Sequence, residues 1–157
     1  PTRGHFYKGI RRNENSLETD ETIDLSSFFG AYMFGLFPLG SEEITRSFDT
    51  IKSTFLPNGT YGIPRYENDN YHRLDTSGLG NYWYIASLWV SQYAREVGEI
   101  ELADSILQCI HDSSDGSLML AEQLNPANLE PLSVSPLVWS HAEYMATQLD
   151  RIESSLE

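Results

Sequence analysis

Apolar residues recur every three or four positions along five stretches of the chain, which predicts five amphipathic helices. The first two stretches run from about Asp24 to Phe37 and from Ser41 to about Phe55. The third runs from about Asn81 to Val97, the fourth from Glu99 to about His111, and the fifth from Ser135 to about Ile152. No segment alternates apolar and polar residues over the length of a strand, so the pattern predicts an all-α fold.

The same spacing predicts which side of each helix faces the core. The third helix is expected to turn one face inward, carrying Tyr82, Ile85, Trp89 and Tyr93. The apolar positions of the fifth helix are Trp139, Ala142, Ala146, Leu149 and Ile152. The inner face of the third helix is expected to be covered by its neighbours, since an apolar stripe of this kind is stable only when it is covered.

Capping and breaking residues set the expected ends of the helices. Asp24 and Ser41 have side chains that can accept a hydrogen bond from the first helical turn. Ser135 followed by Pro136 is a favoured start for the fifth helix, because proline has no N–H to lose at the first helical position. Pro57-Asn58-Gly59 ends the second helix, and Asp115-Gly116 predicts a turn after the fourth.

The connections between the predicted helices are either short or long. Short connections at Pro38–Gly40 and Gly98 predict helical hairpins. Long connections run from Leu56 to Leu79 and from Leu118 to Val134, and we expect them to gather at the opposite end. Long loops in compact domains are usually functional, so that end is the expected place of a site.

The charge of the chain makes several kinds of partner improbable on physical grounds. Ten Lys and Arg residues stand against 23 Asp and Glu residues, which gives a formal net charge of −13. Nucleic acids and anionic membranes are bound by neutralising lysines and arginines, so we expect neither as a partner. No stretch approaches the roughly 18 apolar residues of a membrane helix. The sequence leaves the compartment open and favours the cytoplasm.

No metal or cofactor is indicated by the residue types present. Cys109 is the single cysteine, and it lies in an apolar helical pattern typical of a small buried hydrophobe. No Cys/His cluster has the spacing of a zinc site, and no glycine-rich phosphate loop is present. His141 lies near the start of the fifth helix, where we expect a structural role.

Both long loops carry polar side chains suited to chemistry. Glu122 follows the apolar run Leu118–Ala121, and a carboxylate in such surroundings can act as a general base when water is present. It can equally be a solvated loop residue. In the other loop, Arg65 offers a fixed fork of donors and Asp69 an acceptor, a pair suited to vicinal hydroxyl groups. That pair can equally be a surface ion pair that holds the loop.

The second long loop resembles a known signature. From Gly116 the chain reads GSLMLAEQLNPANLEPLSVSPLVWSHAEY. This resembles the region near the C-terminus of the glucoamylase family, glycoside hydrolase family fifteen: a Glu-Gln pair after small apolar residues, then a serine, Pro-Leu and Trp-Ser-His-Ala. The resemblance implies that Glu122 is the catalytic base that activates water. It also implies that Trp139 belongs to the substrate-binding residues.

The first long loop is similar to a second element of that family. The segment Gly62–Tyr71 looks like its Arg-Tyr-x-x-Asp-x-Tyr substrate-binding loop, which leads into Asn-Pro-Trp at the head of a helix. The chain has Asn-Tyr-Trp there, ending at Trp83. The resemblance implies that Arg65 and Asp69 form hydrogen bonds to glucosyl hydroxyls. It further implies that Tyr66 and Trp83 line the pocket.

Two departures from the family pattern bear on the preferred sugar linkage. Tyr82 replaces the usual proline before the tryptophan, and Asn68 stands where fungal relatives carry a glutamate. The family acts on α-1,4 chains, α-1,6 chains and trehalose, and the sequence leaves the choice among these α-glucosides open.

The resemblance also implies a fold and an incomplete site. Family members form an (α/α) toroid of six helical hairpins, so residues 1–157 are expected to supply about five of its main helices as the C-terminal part of the catalytic domain. Residues 1–23 are expected to be a poorly defined leading segment. The general acid belongs to a Trp-Glu element upstream, so this chain alone is expected to be inactive. Open apolar faces predict self-association or pairing with the remaining half of the ring.

Two other interpretations stay open at the level of the sequence. A non-catalytic helical module could bind glycans through Arg65, Tyr66 and Trp83 and would tolerate the loss of Glu122. A helical-repeat interaction domain is the other alternative, although the chain shows no fixed repeat of 30–45 residues.

Overall fold

The computed structural model describes residues 3–59, 61–74, 78–114, 116–154 and 156. Over these residues the chain forms five α-helices: α1 (Leu25–Met33), α2 (Glu42–Phe55), α3 (Tyr84–Glu96), α4 (Ile100–Asp112) and α5 (Val138–Glu153). It also forms five short strands: β1 (Tyr7–Arg12), β2 (Leu17–Ile23), β3 (Tyr82–Trp83), β4 (Gln123–Leu124) and β5 (Pro131–Leu132). A 3₁₀ turn at Pro57–Gly59 follows α2. The turn predicted at Asp115-Gly116 begins on a residue outside the described part.

The five predicted helices are confirmed, with corrected ends. Asp24 caps α1 as expected, because its carboxylate accepts a hydrogen bond from the Ser27 N–H at 2.8 Å. This helix stops at Met33 rather than Phe37, since the chain turns at Gly35 with a φ of 61°. The proline start predicted for the fifth helix is wrong. Its cap residue is Leu137, whose extended backbone donates a hydrogen bond to the Leu120 carbonyl at 2.9 Å.

The prediction of an all-α fold is wrong for the leading segment. Strands β1 and β2 pair antiparallel and are joined by a turn in which the Asn13 N–H donates to the Ser16 carbonyl. Most residues of the two strands are exposed, including Ile10 and Leu17, and Ile23 at the end of β2 is buried. A hairpin that buries neither face along its length needs no alternation of apolar and polar residues, so the pattern could not reveal it.

The second sheet lies in the region predicted to be loop. Strand β4 pairs antiparallel with both β3 and β5, so β3 from the head of α3 joins two segments of the second long loop. The first long loop adds to the same edge, because the Trp83 N–H donates to the Ile63 carbonyl at 2.8 Å. Asp24 forms a bridge with Tyr66, which connects this loop to the end of the hairpin.

Helix α3 occupies the centre of the molecule. Its residues Tyr84–Ala94 are all buried, because α1, α4 and α5 surround it. The prediction of a single inner face for this helix was therefore too narrow. A cluster of aromatic rings fills the core beside it. The Tyr93 ring makes edge-to-face contacts with Phe28 at 5.0 Å and with Phe48 at 4.7 Å between ring centroids.

The structure also bears on the Cys109 thiol, on metal binding and on membrane spanning. Cys109 on α4 is half-buried, and burial together with the charge of Asp112 raises the pKa of its thiol, which suits a packing residue. Among the described residues, no group of His, Cys, Asp and Glu is placed to hold a metal ion. None of the described helices has the length and apolar character needed to cross a membrane.

Candidate functional site

The two long loops meet at one edge of the molecule. The three-stranded sheet joins them, and both loops hold their backbone in unusual conformations. Among the described residues, the non-glycine positions with positive φ all lie in these two loops: Asn68, His72, Leu118, Leu129 and Ser133. Such conformations are costly and tend to gather where a site is built, so this edge is the candidate site.

Arg65 and Asp69 form a two-pronged ion pair in the first loop. Arg65 Nε donates to Asp69 Oδ2 at 3.0 Å, and Nη2 donates to Oδ1 at 3.2 Å. Asp69 is 1% exposed, whereas the Arg65 side chain is 30% exposed. Gly80 packs on the backbone of Asp69 so closely that an added Cβ would lie 3.1 Å from the Asp69 carbonyl oxygen and 3.2 Å from Asp69 Cβ. The aspartate is therefore fixed inside the loop, while the arginine keeps one side open to solvent.

Aromatic rings surround the Arg65 guanidinium. Its central carbon lies 4.3 Å from the Trp83 ring, 4.9 Å from Tyr66 and 5.6 Å from Tyr71. Burial lowers the pKa of Arg65, but the hydrogen bond and charge of Asp69 outweigh burial and leave that pKa above its usual value. The residues predicted to form a sugar pocket in this loop are thus in contact with one another. They place a fixed cation among aromatic faces, where each contact is attractive.

Glu122 lies at the start of β4 and is half-buried. Its backbone N–H donates to the Val134 carbonyl at 2.9 Å, and its carboxylate accepts a hydrogen bond from Ser133 Oγ at 2.5 Å. The carboxylate is therefore oriented by a neighbouring loop residue and remains partly accessible. This is the environment that a residue acting on water needs.

The start of α5 holds the segment that leads to Glu122. Ser140 Oγ donates to the Ala121 carbonyl at 2.6 Å. The His141 ring lies 3.3 Å from the Leu120 N–H, which donates to Nε2, and its Nδ1 lies 2.8 Å from the Leu137 carbonyl. The ring nitrogens of His141 thus face backbone groups, which supports the structural role expected for it.

Asn81 and Gln123 connect the two loops, and the sequence reasoning did not select either. Asn81 Nδ2 donates to Gln123 Oε1 at 2.8 Å and to the His72 carbonyl at 2.8 Å, and both side chains are buried. Gln123 also pairs with Trp83 across the sheet. The residue next to Glu122 is thus bonded to the loop that carries Arg65. The sequence could have indicated both residues, because Asn81 opens the Asn-Tyr-Trp motif and Gln123 belongs to the Glu-Gln pair.

Trp139 lies apart from the cluster around Arg65. It is half-exposed at the start of α5, with its ring 6.0 Å from Trp89, which in turn stacks on Phe29 at 4.5 Å. Its indole Nε1 donates to Glu143 at 3.3 Å. Of the predicted site residues, the structure brings Tyr66, Asp69 and Trp83 together around Arg65 and links Glu122 to them through Gln123. Within the described part of the chain, the contacts of Trp139 are instead with Trp89 and Glu143.

Lys8 is a further residue of this edge that the sequence pattern could not indicate. It lies on β1, and its Nζ is 3.3 Å from the centroid of the Tyr66 ring. The hairpin and the loop are also joined by a hydrogen bond from the Glu67 N–H to the Ile23 carbonyl at 2.9 Å. The leading hairpin therefore supports the loop that carries Arg65 and Tyr66.

Replacing Lys8 with methionine is expected to loosen the first loop. The contact between an ammonium and an aromatic face is worth about 0.5–1 kcal/mol at exposed sites, so protection of the Glu67 N–H in hydrogen exchange should fall about two- to fivefold. Lys8→Arg should keep the protection, because a guanidinium also stacks on a ring. Arg11→Met, on an exposed position of the same strand, is the control. An unchanged Glu67 rate in Lys8→Met would contradict the supporting role.

Comparison with known proteins relates the sequence and the fold of this chain to proteins described as glycosidases. No model of a known protein family matches the chain. Over 140 residues the chain is 30% identical to a protein of Methanocaldococcus jannaschii described as uncharacterized glycosyl hydrolase MJ1610, covering 80% of this chain and 21% of that protein. The fold of this chain matches two solved structures, which are described as a wild-type glycosidase and a glycosidase with a glutamate-to-alanine substitution. Each matches with a TM-score of 0.68 and 21% identity, over 82% of this chain and 36% of the solved one.

These matches relate the chain to glycosidases and show how much of each matched protein it spans. The chain has the fold of part of a glycosidase, and its sequence is similar to part of a glycosyl hydrolase. It spans about a fifth of the length of the curated relative and about a third of the solved chains.

Proposed function

We propose that this chain is the part of an inverting α-glucoside hydrolase of the glucoamylase family that supplies the general base and part of the sugar pocket. The observation that carries the proposal is the connection between the two loops. Gln123, next to Glu122, pairs with Trp83 and accepts a hydrogen bond from Asn81, and Trp83 stacks on Arg65. A candidate base and a candidate sugar-binding arginine are thereby held in one framework.

In this proposal Arg65 and Asp69 recognise a glucosyl unit. The guanidinium carries five N–H donors, and the aspartate uses two of them. Tyr66 also forms a hydrogen bond with the guanidinium, and the donors on its solvent side bind the sugar hydroxyls in this proposal. Trp83 is buried behind Arg65 and positions it, Tyr66 provides a ring face for the apolar side of the sugar, and Trp139 contributes from the start of α5.

The chemical step proposed for Glu122 is general-base catalysis. Its carboxylate takes a proton from a water molecule while the water oxygen attacks the anomeric carbon from the face opposite the leaving group. The bond from that carbon to the glycosidic oxygen breaks, and a carboxylic acid protonates the departing oxygen. We propose that this acid belongs to a longer polypeptide, about 6.5–9.5 Å from the base as inversion requires.

The proposed substrate is a neutral α-glucoside. The formal net charge of −13 disfavours polyanionic substrates such as nucleic acids, whereas a starch-type, dextran-type or trehalose-type sugar carries no charge to repel.

Sugar binding by the chain itself tests the pocket. Maltose, isomaltose and trehalose are titrated against tryptophan fluorescence, with β-linked cellobiose as the matched disaccharide. We expect at least one α-linked sugar to bind with a Kd on the order of 1–10 mM, and Glu122→Gln to change that Kd less than about threefold. Equal affinity for cellobiose would refute an α-glucoside pocket. If a longer natural polypeptide that contains these residues kept its full hydrolytic activity after Glu122→Gln, the non-catalytic glycan-binding module would become the better interpretation of this chain.

A further inference from the structure

The aromatic ring of Tyr82 fills the space in which a side chain at Gly62 would lie. A Cβ added to Gly62 would come within 2.6 Å of Tyr82 Cε2 and closer still to Cγ and Cδ2. Carbon atoms in contact normally stay about 3.5–4.0 Å apart. The backbone of Gly62 does not adopt a positive φ, so left-handed strain is not the reason for a glycine at this position. The ring of Tyr82 therefore excludes a side chain here.

Tyr82 joins the two halves of the candidate site. Its backbone lies in β3 and pairs with Leu124 of β4, the strand that directly follows Glu122. Its ring lies against Gly62, three residues before Arg65 in the first long loop. A residue whose backbone pairs with one loop and whose ring rests on the other sets the distance between them.

The segment from Gly62 to Arg65 is held so that a shift at one end reaches the other. The Ile63 N–H donates to Ser87 Oγ at 3.0 Å, and the Ile63 carbonyl accepts a hydrogen bond from the Trp83 N–H at 2.8 Å. The next residue is a buried proline, whose ring fixes one of its two backbone rotations. Little freedom is therefore left between the ring contact and the arginine.

We infer that Tyr82 is a positioning residue, whose ring on Gly62 sets where Arg65 stands relative to Glu122 and thereby sets the sugar affinity. This inference rests on the sugar-binding function proposed for Arg65. The glucoamylase pattern that the sequence resembles has a proline in place of Tyr82, and a proline brings no aromatic ring to this contact. The packing of Tyr82 on Gly62 is thus tied to the departure of this sequence from that pattern.

A double-mutant cycle between Gly62 and Tyr82 tests the inference. Gly62→Ala is expected to raise the Kd of the α-linked disaccharide that binds best by about fivefold or more, because overpacking displaces the loop. In the Tyr82→Ala chain the added methyl group enters the space that the ring has left, so Gly62→Ala should change that Kd less than about twofold. Tyr82→Phe keeps the ring carbons that meet Gly62, and it is expected to bind the sugar like the unchanged chain.

The NMR signal of the Arg65 Nε–H reports the position of the guanidinium without any sugar. The guanidinium lies over the Trp83 ring, so a displaced arginine changes its chemical shift, whereas a loss of stability alone does not. We expect the signal to move in Gly62→Ala, and to stay in place when Gly62→Ala is added to Tyr82→Ala. Gly30→Ala is the control, because a Cβ added to Gly30 meets nothing within 4 Å. Tyr82→Ser, which also removes the ring, replaces Tyr82→Ala if circular dichroism shows that variant to be unfolded.

Two results would overturn the inference. Gly62→Ala could weaken sugar binding equally with and without the Tyr82 ring, or it could leave both the Arg65 signal and the Kd unchanged. Failure of the proposed function has a different signature. If the unchanged chain binds no α-linked sugar while the Arg65 signal follows the cycle, the sugar pocket is refuted and the positioning of Arg65 by Tyr82 stands.

Discussion

Replacing Glu122 with glutamine is expected to lower glucose release by about two to four orders of magnitude, which is the usual contribution of a general base. Glutamine has the same shape but cannot take a proton from water. The assay uses maltose, isomaltose and trehalose and the longest natural polypeptide that carries these residues, because the 157 residues alone are expected to lack the general acid. The rate should fall in kcat while KM stays nearly constant.

The control for Glu122→Gln is Ser133→Ala. Ser133 Oγ donates to the Glu122 carboxylate, so its loss should disturb the orientation of the base without removing it. We expect a smaller fall than that of Glu122→Gln, roughly ten- to a hundredfold, because a hydrogen bond to a charged group contributes roughly 1.5–3 kcal/mol. A Glu122→Gln enzyme with more than a tenth of the original kcat would contradict the assignment of the base.

Replacing Arg65 with alanine is expected to destabilise the chain by about 3 kcal/mol, because it leaves the buried Asp69 carboxylate without its partner. The measurement is denaturant unfolding followed by fluorescence. A surface ion pair would give less than about 1 kcal/mol, so the result separates the two interpretations that the sequence left open.

The double variant Arg65→Ala with Asp69→Asn is the control for this effect. Removing the charge of the aspartate as well should recover about half of the lost stability, because the cost of Arg65→Ala comes mainly from an uncompensated buried charge. Equal stabilities of the single and double variants would show that the loss has another origin. Arg65→Lys keeps the charge but not the double hydrogen bond, and it should fall between Arg65→Ala and the unchanged chain.

The helices were predictable because four of them cover the core with an apolar stripe or are apolar throughout. The β1–β2 hairpin was not predictable, since neither of its faces is buried and no alternation is required of it. The sequence predicted open apolar faces but did not indicate which side of α5 packs on α3. Its stripe is correctly spaced, but polar contacts such as that of Gln92 with Thr147 fix the opposite side to α3. A stripe reveals which residues share a face and leaves open what covers it.

The candidate site was predictable to the extent that its chemistry is local in sequence. Arg65 and Asp69 are four residues apart, and the turn between them, closed by a hydrogen bond from the Asp69 N–H to the Tyr66 carbonyl, brings their side chains into contact. Long-range contacts carry no such signal. Lys8 meets Tyr66 because a hairpin brings them together, and Asn81 meets Gln123 across 42 positions. The expected contribution of Trp139 to the pocket stays a prediction, because its described contacts are with Trp89 and Glu143.

The anomeric form of the first product tests the central claim most directly. Proton NMR follows the sugar released from an α-glucoside by the longest natural polypeptide that carries these residues, within the first turnovers and before mutarotation. If Glu122 activates a water on the face opposite the leaving group, the first signal is that of β-glucose, and it disappears in Glu122→Gln. If α-glucose appears first, the reaction retains configuration, and Glu122 cannot be the general base of an inverting enzyme.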